Sequence, residues 1–498
     1  MNSRLTPHTP VDRTRVAWSF GGLIAGMALL LALIGCAVNP ATGKRELSLM
    51  STDQEVQIGH DGYPAVVAEY GLYDDPRLAA YVDSLGHKLA AVSHLPTLDW
   101  HFTLLDDPTV NAFAMPGGYI YITRGIMAHL GSEAQLAGVI GHEIGHVTAR
   151  HAAKQMTQQQ LAGVGLGVAG LFSTTVRQYG QVAQQALGLM MLKYSRDDET
   201  QADQLGVDYA TKAGYDPREI PKTYEMLARV GAHAGQRLPS FLSTHPDPGD
   251  RQVRTAALAQ AAVAGKRGLI IREREYLHRL DGVVFGNDPR QGYVSGEMFY
   301  QPAAGYEARL PAGWPQQVGH ASVVAAKSDQ TAGMQLAMSP KANGESPEAM
   351  VSSLLASGKL TAANGHAETL GGYSAWVGTV VVPAEKGPAR LAVGLVRINA
   401  GSMLQATGSS AAGGDADEQA ILASIRSIRP IADAGKKSPS INRVQVSRVA
   451  RAGSFESVVN SFGPLAVDVD QISILNNRDA GENVLAGELV KVVKLMPR

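Results

Sequence analysis

Cysteine is nearly absent from the sequence. Cys36 is the only cysteine among 498 residues, so no disulfide bond can form within the chain. An excess of charge of either sign is also lacking, since 44 Lys and Arg residues face 45 Asp and Glu residues. The balance favours neither a nucleic-acid partner nor an acidic solvating tail. No internal repeat of solenoid type occurs, and in particular no helical array with a period of about 34 residues.

Long apolar segments are few, and the most informative one lies near the N-terminus. The run from Phe20 to Ile34 is shorter than the roughly 20 residues that a membrane-spanning helix prefers. Arginines precede the run, and Leu-Ile-Gly-Cys at 33–36 ends it and resembles the bacterial lipobox. We therefore expect residues 1–35 to be a lipoprotein signal peptide and Cys36 to carry lipid, with an uncleaved anchor as the alternative. Ala37 stands where an aspartate would indicate inner-membrane retention, which favours a periplasmic protein anchored to the outer membrane.

The remaining chain is long enough for about three domains and has 45% hydrophobic residues. From about Ser51 to Arg279 apolar residues recur mainly at helical spacing. One helix is predicted to begin after Ser132, with Gln135 in capping-box position. A second is predicted from about Gln181 to Ala213. The Gly-rich apolar segment 161–172 is interpreted either as a hairpin that touches the membrane or as a site of tight helix packing.

The stretch GVIGHEIGHVTARH at 138–151 contains the pattern H-E-x-x-H. His142 and His146 stand four residues apart, so one helix face presents both imidazoles to one metal ion, here zinc. Glu143 lies beside that face, where it can take a proton from a water at the metal. His151 follows after a further rotation of about 500°, which takes it off the face. The alternatives are a chance match and a buried histidine pair satisfied by hydrogen bonds.

A catalytic zinc site needs a third protein ligand and an open position. The second predicted helix contains YSRDDETQADQLG, in which Glu199 and Asp203 lie four residues apart on one face. Glu199 is the candidate ligand, and Asp203 can bind the outer nitrogen of a ligating histidine. Asp197 and Asp198 are rivals, but neither has an acidic residue four positions later. The alternative for the pair is a solvated helix face.

Five motifs together resemble a known family. NPATGKRELSLMS, NAFAMPGGYIYITRGIM, GHEIGHVTARH, YSRDDETQAD and STHPDPGDR occur in the order seen in HtpX-like and Oma-like zinc metalloproteases, the gluzincins of peptidase family M48. The resemblance covers about residues 38–255. Members that span the membrane several times differ from this chain, which matches the periplasmic lipoprotein branch. A periplasmic type with helical repeats after the protease also differs, since this chain lacks them.

The resemblance implies zinc at His142, His146 and Glu199, with Glu143 as the catalytic acid/base. It also implies an endopeptidase that acts on misfolded or misassembled envelope proteins. Polypeptides are therefore the expected substrates, and the membrane is an expected partner through the lipid anchor.

Two further stretches fit such a mechanism. The turn and strand in AMPGGYIYIT, with Gly118, Tyr119 and Ile120, are predicted to pair with the substrate backbone, or else to form an ordinary core hairpin. His245 lies in the Pro-rich stretch STHPDPGDR. His245 is predicted to occupy the open zinc position or to donate to the oxyanion, and Arg251 is a candidate for the same switch or oxyanion role; alternatively, the two residues merely order the loop.

The predicted fold class is a multidomain protein. A mainly α, zincin-like metalloprotease domain with a small edge-strand sheet is followed by an α+β domain and a small LysM-like α/β tail. The α+β domain faintly resembles the Mog/PsbP-like fold. The predicted boundaries are 1–35 for the signal peptide, 36–285 for the protease domain, 286–431 for the α+β domain, 432–442 for a linker and 443–498 for the tail.

The LysM-like layout of the tail leaves other functions open. Its usual Gly-Asp-Thr is replaced by Gly453-Ser454-Phe455, so the tail either binds peptidoglycan or docks on the protease domain of its own chain. The alternatives to an envelope endopeptidase are a hydrolase of peptidoglycan cross-links and a non-catalytic chaperone that serves the envelope assembly machinery.

Overall fold

The computed structural model describes residues 36–164, 188, 193–233, 241, 245, 248–320, 322–339, 345–383, 387–411 and 414–496. The predicted signal peptide and most of the Gly-rich segment 161–172 lie outside these residues. Within the described ranges, none of the helices has the length and apolar character needed to cross a membrane.

The first part of the chain is mainly helical, as predicted. After a short hairpin of β1 (Cys36–Val38) and β2 (Arg45–Leu47), helices surround a small sheet of β3 (His101–Leu105), β4 (Ala112–Met115) and β5 (Tyr119–Thr123). The helices are α1 (Thr52–Tyr70), α2 (Pro76–Ala90), α3 (Arg124–His129), α4 (Glu133–Thr148), α5 (His151–Val164), α6 (Arg196–Lys212), α7 (Ile220–His233), α8 (Pro248–Ala262) and α9 (Glu273–Leu280).

Helix α4 carries the H-E-x-x-H pattern and lies at the centre of this part. Ser132 is its N-cap, as predicted, and the Ser132 side chain accepts a hydrogen bond from the backbone N–H of Gln135 at 3.2 Å. All 16 residues of α4 are buried, so the helix is enclosed on every side. A structure that buries a whole helix places its polar side chains in a low-dielectric interior, where each needs a specific partner.

Glycines bring α4 and α6 into backbone contact. A Cβ atom added to Gly141 would lie 3.1 Å from the carbonyl oxygen of Gly206, and one added to Gly145 would lie 3.2 Å from that of Ala202. Larger residues at either position would separate the two helices. The close approach puts the histidines of α4 next to the acidic residues of α6.

The predicted second helix, from about Gln181 to Ala213, is not continuous. Lys193, Tyr194 and Ser195 are not helical, and α6 begins at Arg196 rather than continuing from Gln181. Ser195 is the N-cap of α6. Its side chain accepts from the N–H of Asp198, and the Asp198 side chain accepts from the N–H of Ser195, which forms a capping box. Residues 181–187 and 189–192 lie outside the described part of the chain.

The stretch AMPGGYIYIT forms the core hairpin that was the alternative, and not a free strand that pairs with substrate. In the described sheet the order is β3-β5-β4, so β5, which contains Tyr119 and Ile120, is the central strand. It pairs with β3 in parallel and with β4 antiparallel, and the carbonyl of Gly118 accepts from the N–H of His101. A strand paired on both sides has no backbone groups left for a peptide, whereas β4 is an edge of the described sheet.

The second part is an α+β unit, in agreement with the predicted fold class. The described strands form a seven-stranded antiparallel sheet in the order β12-β13-β14-β15-β11-β10-β9 and a four-stranded sheet in the order β16-β8-β7-β6. Its elements are β6 (Tyr293–Ser295), β7 (Met298–Gln301), β8 (Tyr306–Arg309), β9 (Gln316–Gly319), β10 (Ser322–Ala326), β11 (Ala332–Ser339), α10 (Pro347–Ala356), β12 (Ala362–Leu370), β13 (Tyr373–Val382), β14 (Ala389–Asn399), β15 (Ser402–Ser410), α11 (Asp415–Arg426) and β16 (Arg429–Pro430).

The third part begins within the predicted linker 432–442, which contains a short helix and the first residues of a strand. The elements are α12 (Ala434–Lys437), β17 (Ile441–Arg448), β18 (Gly453–Ser454), α13 (Phe455–Ser461), α14 (Val469–Asn476), β19 (Asn483–Val484) and β20 (Leu489–Met496). The pairs β17–β20 and β18–β19 are antiparallel. The boundaries of the predicted domains and the likeness of this tail to LysM modules stay predictions.

The tail packs against the helical part of its own chain. Val444, Leu475 and Val493 belong to the same buried apolar cluster as the residues of α4. The buried Lys491 ammonium donates to the carbonyls of Ala128 at 2.8 Å and Leu130 at 2.9 Å. These bonds satisfy carbonyls at the C-terminal end of α3, and they tie the last strand to the segment that leads into the H-E-x-x-H helix.

Candidate metal centre

Within the described residues, four buried side chains bring possible metal-ligand atoms close together. They are His142, His146, Glu199 and His245, and their ligand atoms all lie within 4.8 Å of each other. The Nε2 atoms of the two α4 histidines are 3.0 Å apart. The Glu199 carboxylate oxygens lie 3.6 Å from each of these nitrogens. The structure thus brings together all three residues predicted as ligands.

The fourth member of the group, His245, lies three residues before α8 in the Pro-rich stretch whose end forms the first turn of that helix. The Nδ1 atom of His245 lies 2.8 Å from Oε1 of Glu199, and the ring stacks on Phe241 with centroids 4.5 Å apart. Sequence reasoning left three roles open for this residue. Its place inside the donor group, away from solvent, favours the roles at the metal over mere ordering of the loop.

Glu143 is fully buried beside the four donors. Neither of its carboxylate oxygens has a hydrogen-bond partner among the described residues. Its Oε1 lies 3.8 Å from Nε2 of His245. Burial raises the pKa of Glu143, although His245 and His142 oppose the shift. A buried carboxylate without a partner is costly, and a water held beside a metal would satisfy it.

Glu199 and Asp203, the two other acidic residues at the site, have lowered rather than raised pKa values. Burial alone would raise the pKa of Glu199, but His245 and Arg251 outweigh this effect and hold it at about 2. Burial would also raise the pKa of Asp203, yet Arg251 and His142 hold it well below its usual range. Both groups are therefore anions at neutral pH, as a ligand and a partner of a ligand must be.

Asp203 is placed as predicted, with its Oδ1 atom 3.2 Å from Nδ1 of His142. Arg251 links Asp203 to Glu199, since its Nη2 atom lies 2.7 Å from the first carboxylate and its Nη1 atom 2.8 Å from the second. Tyr224 donates to Asp203 at 2.6 Å, and Arg254 donates at 2.7 Å. Arg251 lies in α8 and orients both carboxylates, whereas the sequence suggested a switch, an oxyanion contact or a loop contact for it.

Sequence reasoning missed Tyr224, Arg254, Tyr194 and His151. The Tyr194 ring stacks on His146 with centroids 4.1 Å apart. His151 is not among the four donors, as the sequence predicted. The assumed continuous helix was wrong, however, because α4 ends at Thr148 and Arg150 has a left-handed φ of 57°. This break turns His151 back, so that its Nδ1 atom lies 2.9 Å from Nδ1 of His146. A non-glycine residue in this conformation leaves no clear signal in the sequence.

Comparison with known proteins agrees with this geometry. The family model "Peptidase family M48" matches residues 76–259, which include His142, His146 and Glu199. Mitochondrial metalloendopeptidase OMA1 of Schizosaccharomyces pombe is 31% identical over 247 residues, which cover 48% of this chain and 70% of the relative. The chain belongs to peptidase family M48. The donor group described above could hold a metal ion.

Other M48 relatives are matched over a smaller share of their length. Mitochondrial metalloendopeptidase OMA1 of Arabidopsis thaliana is 37% identical over 38% of this chain and 37% of the relative. The Beta-barrel assembly-enhancing protease of Escherichia coli (strain K12) is 31% identical over 43% of this chain and 45% of the relative. The chain thus spans less than half the length of these two relatives.

Among solved structures, cyanobacterial PsbP (CyanoP) from Synechocystis sp. PCC 6803 matches 29% of this chain and 98% of its own. The identity is 16% and the TM-score 0.22. A TM-score this low establishes no shared fold, so the predicted likeness of the α+β unit to PsbP stays a prediction.

Proposed function

We propose that this protein is a zinc-dependent endopeptidase of the bacterial cell envelope that hydrolyses peptide bonds in misfolded or misassembled envelope proteins. The observation that carries the proposal is the convergence of His142, His146 and Glu199 beside the unpartnered carboxylate of Glu143. The Escherichia coli relative, which is named as a protease that enhances β-barrel assembly, supports the envelope as the place of action.

The donor set suits zinc. Two imidazole nitrogens and one carboxylate oxygen form a common set for catalytic zinc, and Asp203 and Arg251 hold two of these ligands in place. When bound, zinc supplies Lewis acidity to the scissile carbonyl and to a water. Glu143 accepts the proton of the attacking water and delivers it to the leaving amine. Both oxygens of Glu143 are free for these steps, because neither has a hydrogen-bond partner among the described residues.

We place the substrate on β4 rather than on β5. The N–H of Thr123 donates to the carbonyl of Asn111, and the alternation of an antiparallel pair then directs the backbone groups of Ala112 and Ala114 away from β5. A small cavity between this edge and α4 is lined by Ala114, His146 and Tyr194, among others. An extended peptide that adds to β4 would therefore run beside the metal helix.

Digestion assays with purified protein test the proposed function. We expect casein to be cleaved, cleavage to stop after treatment with a chelator, and added zinc to restore it, because removal of the metal removes the Lewis acid. Purified sacculi should release no peptides under the same conditions. Release from sacculi without casein cleavage would instead support the cross-link hydrolase, and no cleavage of either would support the chaperone.

Anchoring by lipid on Cys36 is part of the proposal and rests on the lipobox-like sequence before it. We expect Cys36→Ser to lose acyl labelling and to move from the membrane fraction to the soluble fraction of fractionated cells. A variant that stays in the membrane fraction would point to an uncleaved anchor or to membrane contact by the segment 161–172.

A further inference from the structure

The two histidines of α4 have different partners at their outer nitrogens. The Nδ1 atom of His142 faces the Asp203 carboxylate at 3.2 Å, whereas Nδ1 of His146 faces another imidazole, that of His151, at 2.9 Å. Both α4 histidines direct Nε2 toward Glu199. A neutral histidine that binds a metal through Nε2 carries its proton on Nδ1 and needs an acceptor there.

The contacts of His151 define the direction of its hydrogen bonds. If His146 keeps a proton on Nδ1, His151 must accept it with its own Nδ1 and carry a proton on Nε2. An acceptor for that second proton is present, because Nε2 of His151 lies 3.0 Å from Oε1 of Gln201 and 3.7 Å from Oδ1 of Asp198. The reverse direction would place the proton of His146 on Nε2 and block the metal-binding nitrogen.

The position of His151 is held by the surrounding structure. Its side chain is buried, and its ring meets the edge of His146 at an interplanar angle of 75°. The turn before it is secured by Arg150, which donates to Glu55 at 2.9 Å and to the carbonyl of Met50 at 2.8 Å. The acceptor side is secured as well, since Lys154 donates to Asp198 at 2.7 Å.

We propose that His151 is a positioning residue of the metal centre. It accepts the hydrogen bond of His146 Nδ1 and thereby holds His146 in the tautomer and ring orientation that present Nε2 to the metal. The proposal rests on the proposed function, because it assumes a metal at His142, His146 and Glu199. Gln201 completes the chain by accepting from His151.

Asparagine and leucine at position 151 form a matched pair for the test. The oxygen of Asn can take the place of the accepting Nδ1 atom, whereas Leu has nearly the same shape and accepts nothing. We expect His151→Leu to lower zinc affinity by about 10- to 100-fold and His151→Asn to stay within a few-fold of the parent. Affinity is measured by competition with a chromophoric chelator, and the absorption spectrum of the cobalt-substituted protein reports the ligand geometry.

Three further proteins complete the experiment. Glu199→Ala serves as the reference for a lost ligand, and the exposed His60→Leu, on α1, serves as the control for loss of a histidine elsewhere. Gln201→Met removes only the far acceptor, so it tests the chain without altering the neighbour of His146. It should bind zinc more weakly than both the parent and His60→Leu, and an affinity equal to theirs would overturn the positioning role even if His151→Leu fails to fold.

The outcomes separate this inference from the proposed function. Equal zinc affinity and equal cobalt spectra in the parent and the Leu variant would overturn the positioning role alone. Equal losses in the Leu and Asn variants would also overturn it, because packing rather than the acceptor would then matter. A parent protein that binds no zinc would overturn the proposed function itself.

Discussion

Glu143→Gln is expected to lower the rate of casein cleavage by about 10²- to 10⁴-fold, the usual contribution of a general base. The amide has the size of the carboxylate but cannot accept the proton of the attacking water. The two oxygens of Glu143 have no hydrogen-bond partner among the described residues, so the substitution breaks no structural bond there. The rate is measured together with the zinc content of the purified variant.

The zinc content decides how the result is interpreted. We expect it to equal that of the parent, because His142, His146 and Glu199 are unchanged. Glu69→Gln, an exposed residue of α1, is the matched control and should cleave at the parental rate. Cleavage by Glu143→Gln at the parental rate would exclude Glu143 as the base, and loss of zinc would mean that the rate no longer reports on proton transfer.

His245→Ala is expected to raise basal proteolysis and to cause self-cleavage while zinc stays bound. The His245 ring lies inside the donor group, is sealed from solvent and contacts Glu199 at 2.8 Å. Substrate and water must reach the same place, so an imidazole there competes with them. If the closed arrangement is about ten times more populated than the open one, its loss raises the rate about tenfold. Initial rates on casein and the appearance of fragments of the protein are measured.

The opposite result would assign another role to His245. A fall of about 10²-fold or more would indicate that it donates to the oxyanion of the tetrahedral intermediate. An unchanged rate would show that it only orders the loop. His233→Ala, at the exposed end of α7, controls for the loss of a histidine and should leave the rate unchanged.

Local spacing was sufficient to predict much of the site. Positions i and i+4 of a helix share a face, which is why the pairs His142 with His146 and Glu199 with Asp203 could be recognised without knowledge of the fold. The cap at Ser132 was predicted for the same reason, because it depends on atoms within one turn of the helix. The change from a mainly α part to an α+β unit was also predicted, because helices and strands each have their own local period of apolar residues.

The tertiary structure decided everything that depends on which segments meet. Strand order made β4 the edge and β5 the centre, and a periodic pattern within one strand does not reveal its neighbours. The left-handed turn at Arg150 returned His151 to the metal helix, although rotation along a continuous helix would have carried it away. The docking of the tail through Lys491 likewise depends on surfaces that are hundreds of residues apart in sequence. Sequence periodicity reports the face that a residue occupies on its own element, whereas the partner of that face is set by the packing of the whole chain.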